Sequence, residues 1–268
     1  MKSRLQSAES RRIFLFQKSY FLIWVLLVVI LLSGCSNSEE TNEYGQNELM
    51  RAIYYKDYPT VKRLVLKNPE IIVQTDNNGE NAIHYAAKYG SAEMMDFLLS
   101  QGGDKLIDVE ENIQSFTPIQ LATISRNFEA FQTLIDHPMG SKQLNILDNK
   151  GRTLLHLAAS SQSDEIMEEL LSLQMDPNIQ DVEGNTALML LLYSIDQYES
   201  KISEITAFQI TKLFLENGAD QYILNNNADS VLSIIESSSS GVFTYSSSKS
   251  TVLERASFQL ETLIKTRY

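Results

Sequence analysis

Apolar and polar positions along residues 47–236 come in short blocks, a few apolar residues at helical spacing and then a polar, turn-forming cluster. The runs N-A-I-H-Y-A-A from Asn81, T-P-I-Q-L-A-T from Thr117, T-L-L-H-L-A-A from Thr153, T-A-L-M-L-L-L from Thr186 and S-V-L-S-I-I from Ser230 each predict a short helix. A second apolar stripe follows in each unit, carried by Leu98 and Leu99, Leu134 and Ile135, Leu170 and Leu171, and Leu213 and Leu215. Gly79, Ser115, Gly151, Gly184 and Ala228 hold one recurring place before these runs, at spacings of 36, 36, 33 and 44 residues. Glycine there suits a tight turn with a positive backbone angle. Thr117, Thr153 and Thr186 stand where a hydroxyl can cap the following helix, and Pro118 fills a first helical position. The pattern predicts an all-α chain of helix pairs. Small Ala86, Ala87, Ala122, Ala158 and Ala159 let neighbouring helices approach closely. One pair cannot bury its own apolar face, so the units must stack.

Two blocks can be laid over one another: D-N-K-G-R-T-L-L-H-L-A-A from Asp148 and, 33 residues on, D-V-E-G-N-T-A-L from Asp181. A closing phrase recurs as L-L-S-Q-G-G-D from Leu98, L-L-S-L-Q-M-D from Leu170 and F-L-E-N-G-A-D from Phe214. The period and the wording resemble the ankyrin repeat. The resemblance covers about residues 47–236, opens with a half-matched unit at Glu48 and is followed by a closing helix carrying Val252, Leu253, Ala256, Leu260, Leu263 and Ile264. It implies an ankyrin-repeat solenoid of about five to six helix-turn-helix repeats that binds another protein, acts as a monomer and is not an enzyme. Ankyrin proteins bind through their turn tips and the exposed side of each first helix. Carried over position by position, the tips are Asn77, Asn78, Glu80, Gln114, Phe116, Asn149, Lys150, Arg152, Val182 and Glu183. The helix faces add Lys88, Tyr89, Ser125, Ser160, Ser161 and Tyr193, with Tyr89, Phe116 and Tyr193 expected to be exposed anchors.

The departures are as specific. Ser115 and Arg126 replace both usual glycines of one repeat and should strain it. Extra residues fall around 102–111 and 138–146, after a second helix; longer insertions fall between two helices around 195–205, with Asp196, Glu199 and Glu204, and at 236–250. The last two occupy one junction in adjacent repeats.

The start of the chain belongs to a different class. Residues 1–20 carry Lys2, Arg4, Arg11, Arg12 and Lys18 against Glu9, and 21–32 are unbroken apolar. A comfortable bilayer span needs about 20 such residues, so this stretch fits the apolar core of an export signal. Leu32, Ser33, Gly34 and Cys35 resemble the lipobox of bacterial lipoproteins, which implies a signal at 1–34 and a lipid on Cys35, the only cysteine of the chain. An uncleaved signal anchor is the alternative. S-R-R-I-F-L from Ser10 also resembles a twin-arginine signal, so the export route stays open. Residues 35–46 would then be a lipidated, flexible tether holding the repeat domain, 47–268, on the order of 20 Å from the membrane. Ser36 resembles the pattern for sorting to the outer membrane, facing the periplasm.

Without residues 1–34 the formal charge is −16, since they hold five basic residues and one acid. That balance argues against nucleic acid and favours a basic protein partner or plain solubility. No phosphate-cradling loop, H-E-x-x-H, cysteine pair or G-x-S-x-G is present, and neither a metal nor another cofactor is expected. His84 and His156 share one repeat position, where the resemblance implies structural hydrogen bonds between repeats. His137, beside Pro138, reads as a surface residue, and Asp76, Asp148 and Asp181 read as turn-formers. The functional classes left are a protein-binding module of the cell envelope, an immunity or inhibitor protein against an envelope-targeted toxin or lipase, and a structural adaptor.

Overall fold

The computed structural model describes residues 41–111, 113–197, 203–239 and 262. The expected signal, Cys35, most of the tether, Asn112, residues 198–202 with Glu199, and all but one residue of the segment 240–268 lie outside them. Among the described residues there is no strand, and no helix is long and apolar enough to cross a membrane.

The helices come in pairs: α1 (Glu48–Tyr54) with α2 (Tyr58–Lys67), α3 (Ala82–Tyr89) with α4 (Ala92–Ser100), and α5 (Pro118–Ile124) with α6 (Phe128–Asp136). The series continues with α7 (Leu154–Ser161) and α8 (Asp164–Ser172), α9 (Ala187–Gln197) and α10 (Glu204–Glu216), and α11 (Val231–Ser239). First helices stack on first helices and second on second, so two layers share one continuous core. Ala86, Ala87, Ala122, Ala158 and Ala159 are fully buried between neighbouring first helices, as their size requires. Phe131 and Phe214 fill the larger spaces under the second layer. The extra residues near 102–111 and 138–146 do not dangle: Gly103–Leu106 and Gly140–Gln143 are single helical turns, with Ile107 and Gly140 buried beside them.

Each pair is introduced by a tip that closes on one acceptor side chain. Asp76 Oδ1 accepts from the N–H groups of Asn78 at 2.8 Å and Glu80 at 2.9 Å. Asp148 does the same for Lys150 and Arg152, and Asp181 for Glu183 and Asn185, all at 2.9 Å. Asn225 repeats the arrangement, and Glu111 reaches the same donors with a longer side chain. The recurring position then turns left-handed, at φ 78° for Gly79, 57° for Ser115, 70° for Gly151, 79° for Gly184 and 63° for Ala228. Ser115 and Arg126 (φ 58°) therefore keep the glycine geometry without being glycine, at a cost on the order of 1 kcal/mol each. Arg126 sets an ion pair with Asp164 against that strain, at 3.2 Å.

The segment 42–46 differs from the expected tether. Asn42 accepts from the N–H groups of Tyr44 and Gln46, and Gly45 sits at φ 78°, so a further tip precedes α1. It is bound to the next one, because Asn77 donates its backbone N–H to Tyr44 O and its amide to Glu43 O, both at 3.1 Å. The signal was present as Asn-x-x-Gly, 34 residues before Gly79.

The histidines are structural. His84 Nδ1 accepts from Asn81 N–H at 3.2 Å, which leaves Nε2–H to donate to Val109 O at 2.9 Å, in the following repeat. His156 repeats this with Thr153 and, at 3.0 Å, Asn185 O. Burial lowers the pKa of both rings, chiefly by desolvation, so the neutral form is the folded one. Their folded pKa lies below the unfolded value of about 6.5, so the stabilisation is complete above that pH and is lost as pH falls from it through the folded pKa. Melting at pH 7 and pH 5 should show a drop that His84→Gln plus His156→Gln removes in part; an unchanged melting temperature would contradict the assignment.

Gln120 holds the same place in the intervening repeat. Its Oε1 accepts from Thr117 N–H at 2.9 Å, but its fully buried Nε2 has no partner. A ring here could donate toward the carbonyls of Ile146 or Arg152, which stand to Asp148 as the histidine acceptors stand to their own tips. Gln120→His should raise stability by about 1 kcal/mol, read from urea unfolding. A loss would mean that this interface has no room for the ring.

Candidate protein-binding face

The tips form a hydrogen-bonded row along one edge of the stack. Val182 N–H donates to Lys150 O and Asn226 N–H to Glu183 O, both at 3.0 Å; the Asn149 amide reaches Gln114 O at 3.2 Å. Asn77 and Asn149, both expected to bind a partner, are exposed but have their amides committed to the preceding tip. Asn78, Gln114, Lys150, Val182 and Glu183 are exposed beside them. Ile113, 65% exposed, stands at the same place in its tip as Asn77, Asn149 and Val182. In the sequence alone an apolar residue at this place reads as core, and nothing local marks it as exposed.

Between the tips and helices α3, α5 and α7 lies a groove of about 400 Å³. Its floor is apolar, from Phe116, Leu121, Ile124 and Leu157, and its walls carry Glu80, Lys88, Glu111, Ser125, Arg152 and Ser160. Lys88 Nζ donates to both oxygens of Glu80, at 2.9 and 3.0 Å; burial works to lower its pKa, but that carboxylate and the neighbouring Tyr89 together raise it. Arg152 pairs with Asp148 at 2.7 Å through Nε and Nη2. Ser125 and Ser160 are exposed on the groove wall, and Ser161 donates back to its own helix.

Three expected anchors are placed differently. Phe116 is buried, 6% exposed, because its ring forms the groove floor instead of the tip surface. Tyr89 and Tyr193 are half-buried against the core. Tyr193 O–H donates to Asp229 at 3.0 Å and accepts from Asn225; burial and then that carboxylate push its pKa up to about 12. Glu80, expected at a tip, is buried beneath Lys88. Among the described residues the exposed aromatics are instead Tyr44, Tyr54, Tyr55 and Tyr222, 60%, 51%, 76% and 57% exposed, with Tyr54 edge-on to Tyr89 at 4.9 Å. Tyr55 stands 34 residues before Tyr89, in the half-matched opening unit.

Among the described residues no group of three His, Cys, Asp or Glu side chains is placed to hold a metal. Models of ankyrin repeats match residues 26–109 and 49–145 in a three-copy form and 139–191 in a many-copy form.

This chain belongs to the ankyrin repeat family.

An ankyrin stack is a protein-binding scaffold, and the curated relatives that this chain resembles are diverse. A probable 26S proteasome regulatory subunit, p28, of Saccharomyces cerevisiae is 28% identical over 123 residues, 46% of this chain and 54% of that protein. A neurogenic locus notch homolog protein 2 of Homo sapiens is 29% identical over 204 residues, 76% of this chain but 7% of that protein. The ankyrin chain thus spans about half, or far less, of these relatives' lengths. Among solved structures, an ankyrin repeat domain of Acinetobacter baumannii superposes with a TM-score of 0.62 at 19% identity, covering 84% of this chain and 98% of that one. A chain from the complex of a Bdellovibrio bacteriovorus predatory endopeptidase with its immunity protein gives 0.55 at 20% identity, covering 85% and 100%. These likenesses are of fold.

Proposed function

We propose that this chain is an ankyrin-repeat lipoprotein of a bacterial cell envelope, held by acylated Cys35 on the periplasmic face of the outer membrane, where it binds another protein. The binding part rests on one observation, the open groove between the row of tips and the first helices. The anchor rests on the basic start, the apolar run at 21–32 and the placing of the only cysteine directly after it. Among the described residues, α4, α6 and α8 carry no basic residue and expose Glu93, Asp96, Glu129, Asp136, Glu165 and Glu168, so a basic partner would meet that layer.

Cys35→Ala should abolish incorporation of labelled fatty acid and block removal of residues 1–34, because the thiol is the point of attachment. A wild type that takes up no label and keeps its original amino terminus would make it a signal anchor. Crosslinking in intact cells, followed by recovery from solubilised envelope, tests the binding part; a chain that crosslinks to no protein would end that reading.

A second reading, an immunity protein against an envelope-targeted toxin, is favoured by the fold shared with the endopeptidase–immunity protein complex. A toxin or hydrolase gene adjacent to this one, with protection lost on deletion, would support it over a structural adaptor.

A further inference from the structure

Charge is sorted between the two layers, and the sorting specifies what the groove can take. The first helices α3, α5 and α7 contain no carboxylate, whereas the second helices α4, α6 and α8 carry eight, counting Glu93 and Asp96, Glu129 and Asp136, and four between Asp164 and Glu169. The acids that do line or underlie the groove are withdrawn. Glu80 and Glu111 are 6% and 5% exposed, and the Asp148 side chain only 2%.

Each of these three is already paired at both oxygens. Glu111 accepts from the N–H groups of Ile113 and Gln114 at 2.6 Å and of Phe116 at 3.3 Å. Glu80 is covered by Lys88, and Asp148 by Arg152 and two backbone N–H groups. The cations above them keep donors to spare, chiefly on the arginine. Lys88 gives two of its three N–H donors to Glu80 and lies against Tyr89; an arginine has five, and Arg152 gives Asp148 one from Nε and one from Nη2. Lys150 is exposed at the adjoining tip. A basic side chain entering the groove would therefore meet cations first and find the carboxylates buried and already paired. A carboxylate would meet the free, partly desolvated donors of Arg152 beside the charge of Lys88, where charge-assisted bonds are strongest.

We infer that the groove receives a partner segment that pairs an acidic side chain with an aliphatic one, the carboxylate bonding to Lys88 and Arg152 and the aliphatic group lying on Phe116, Ile124 and Leu157. This deepens the protein-binding reading and is opposite in sign to what the net charge of the chain suggests for its outer layer. A preformed, internally paired lysine and arginine lose little rotamer freedom on binding, which favours a short segment that must supply affinity from few contacts.

Selection of a random-sequence displayed peptide library on the full lipidated chain in detergent micelles tests the inference without assuming a partner. Enriched peptides should combine Asp or Glu with Leu, Ile or Val, and their recovery should fall about tenfold or more on K88M/R152M. Because that double variant removes buried ion pairs and can weaken the fold, the exposed Ser125 supplies the independent arm. Ser125→Glu should weaken the best peptide about two- to fivefold and Ser125→Lys strengthen it by a like factor, with melting temperatures unchanged. Enrichment of basic peptides, enrichment indifferent to both substitutions, or no enrichment would each overturn the inference. A protein partner still crosslinked in cells under any of those outcomes would leave the binding reading standing, with its contact elsewhere on the stack.

Discussion

Phe131→Ala should lower the free energy of unfolding by about 3 to 5 kcal/mol, and the loss should be felt first in one unit. Phe131 is among the largest fully buried side chains, on α6, with Phe128 stacked 6.5 Å away. Truncation removes its transfer energy and leaves a cavity that short helices held on both sides cannot collapse. The same unit already holds Ser115 and Arg126 at positive φ and leaves Gln120 Nε2 without a partner. Stack stability is close to a sum of unit and neighbour terms, so the defect adds to one place. Hydrogen exchange should show residues 113–136 opening ahead of α3–α4 and α7–α8, already in the wild type and more so in the variant. Uniform exchange along the chain, or a loss below about 1 kcal/mol, would show that neighbours repack around the site.

Gly140→Ala should cost on the order of 3 kcal/mol, an unusual price for one methyl group. A Cβ at Gly140 would overlap the carbonyl oxygen of Ile135 and come within 2.6 Å of that of Leu134 and 2.5 Å of the Ile135 carbonyl carbon. All three are backbone atoms at the end of α6, so no rotamer change relieves the contact. The turn Gly140–Gln143 must lift or the helix end must unwind. By contrast, Gly102→Ala meets nothing within 4 Å and bears only the strain of φ 103°. Thermal melts of the two variants separate the causes: equal losses would mean that the turn at Gly140 is pliant.

The repeat, its turn chemistry and the layer of small alanines were legible because each is a local rule repeated. Asp76, Asp148 and Asp181 act as the turn-formers they resemble, and His84 and His156 bridge repeats. The surface was less legible. Which side of the tip a side chain takes depends on the neighbouring unit, so Phe116 falls inward while Ile113, three residues earlier, lies open. The Asn42 tip reads as a tether because the segment is polar, and polarity alone does not separate a flexible linker from a turn that bonds to the next tip. The charge sorting depends on which acids are covered, which net charge cannot express.

The extra residues after α4 and α6 are folded away as short turns at the ends of second helices, and this has a consequence for how the protein can vary. Recurrence along the chain runs 36, 36, 33 and 44 residues, yet first helix still meets first helix at every step. Distance along the polypeptide and distance along the face are thus uncoupled. A lineage could lengthen these junctions without moving one rung of the ladder, and a bound molecule would measure rungs, not residues.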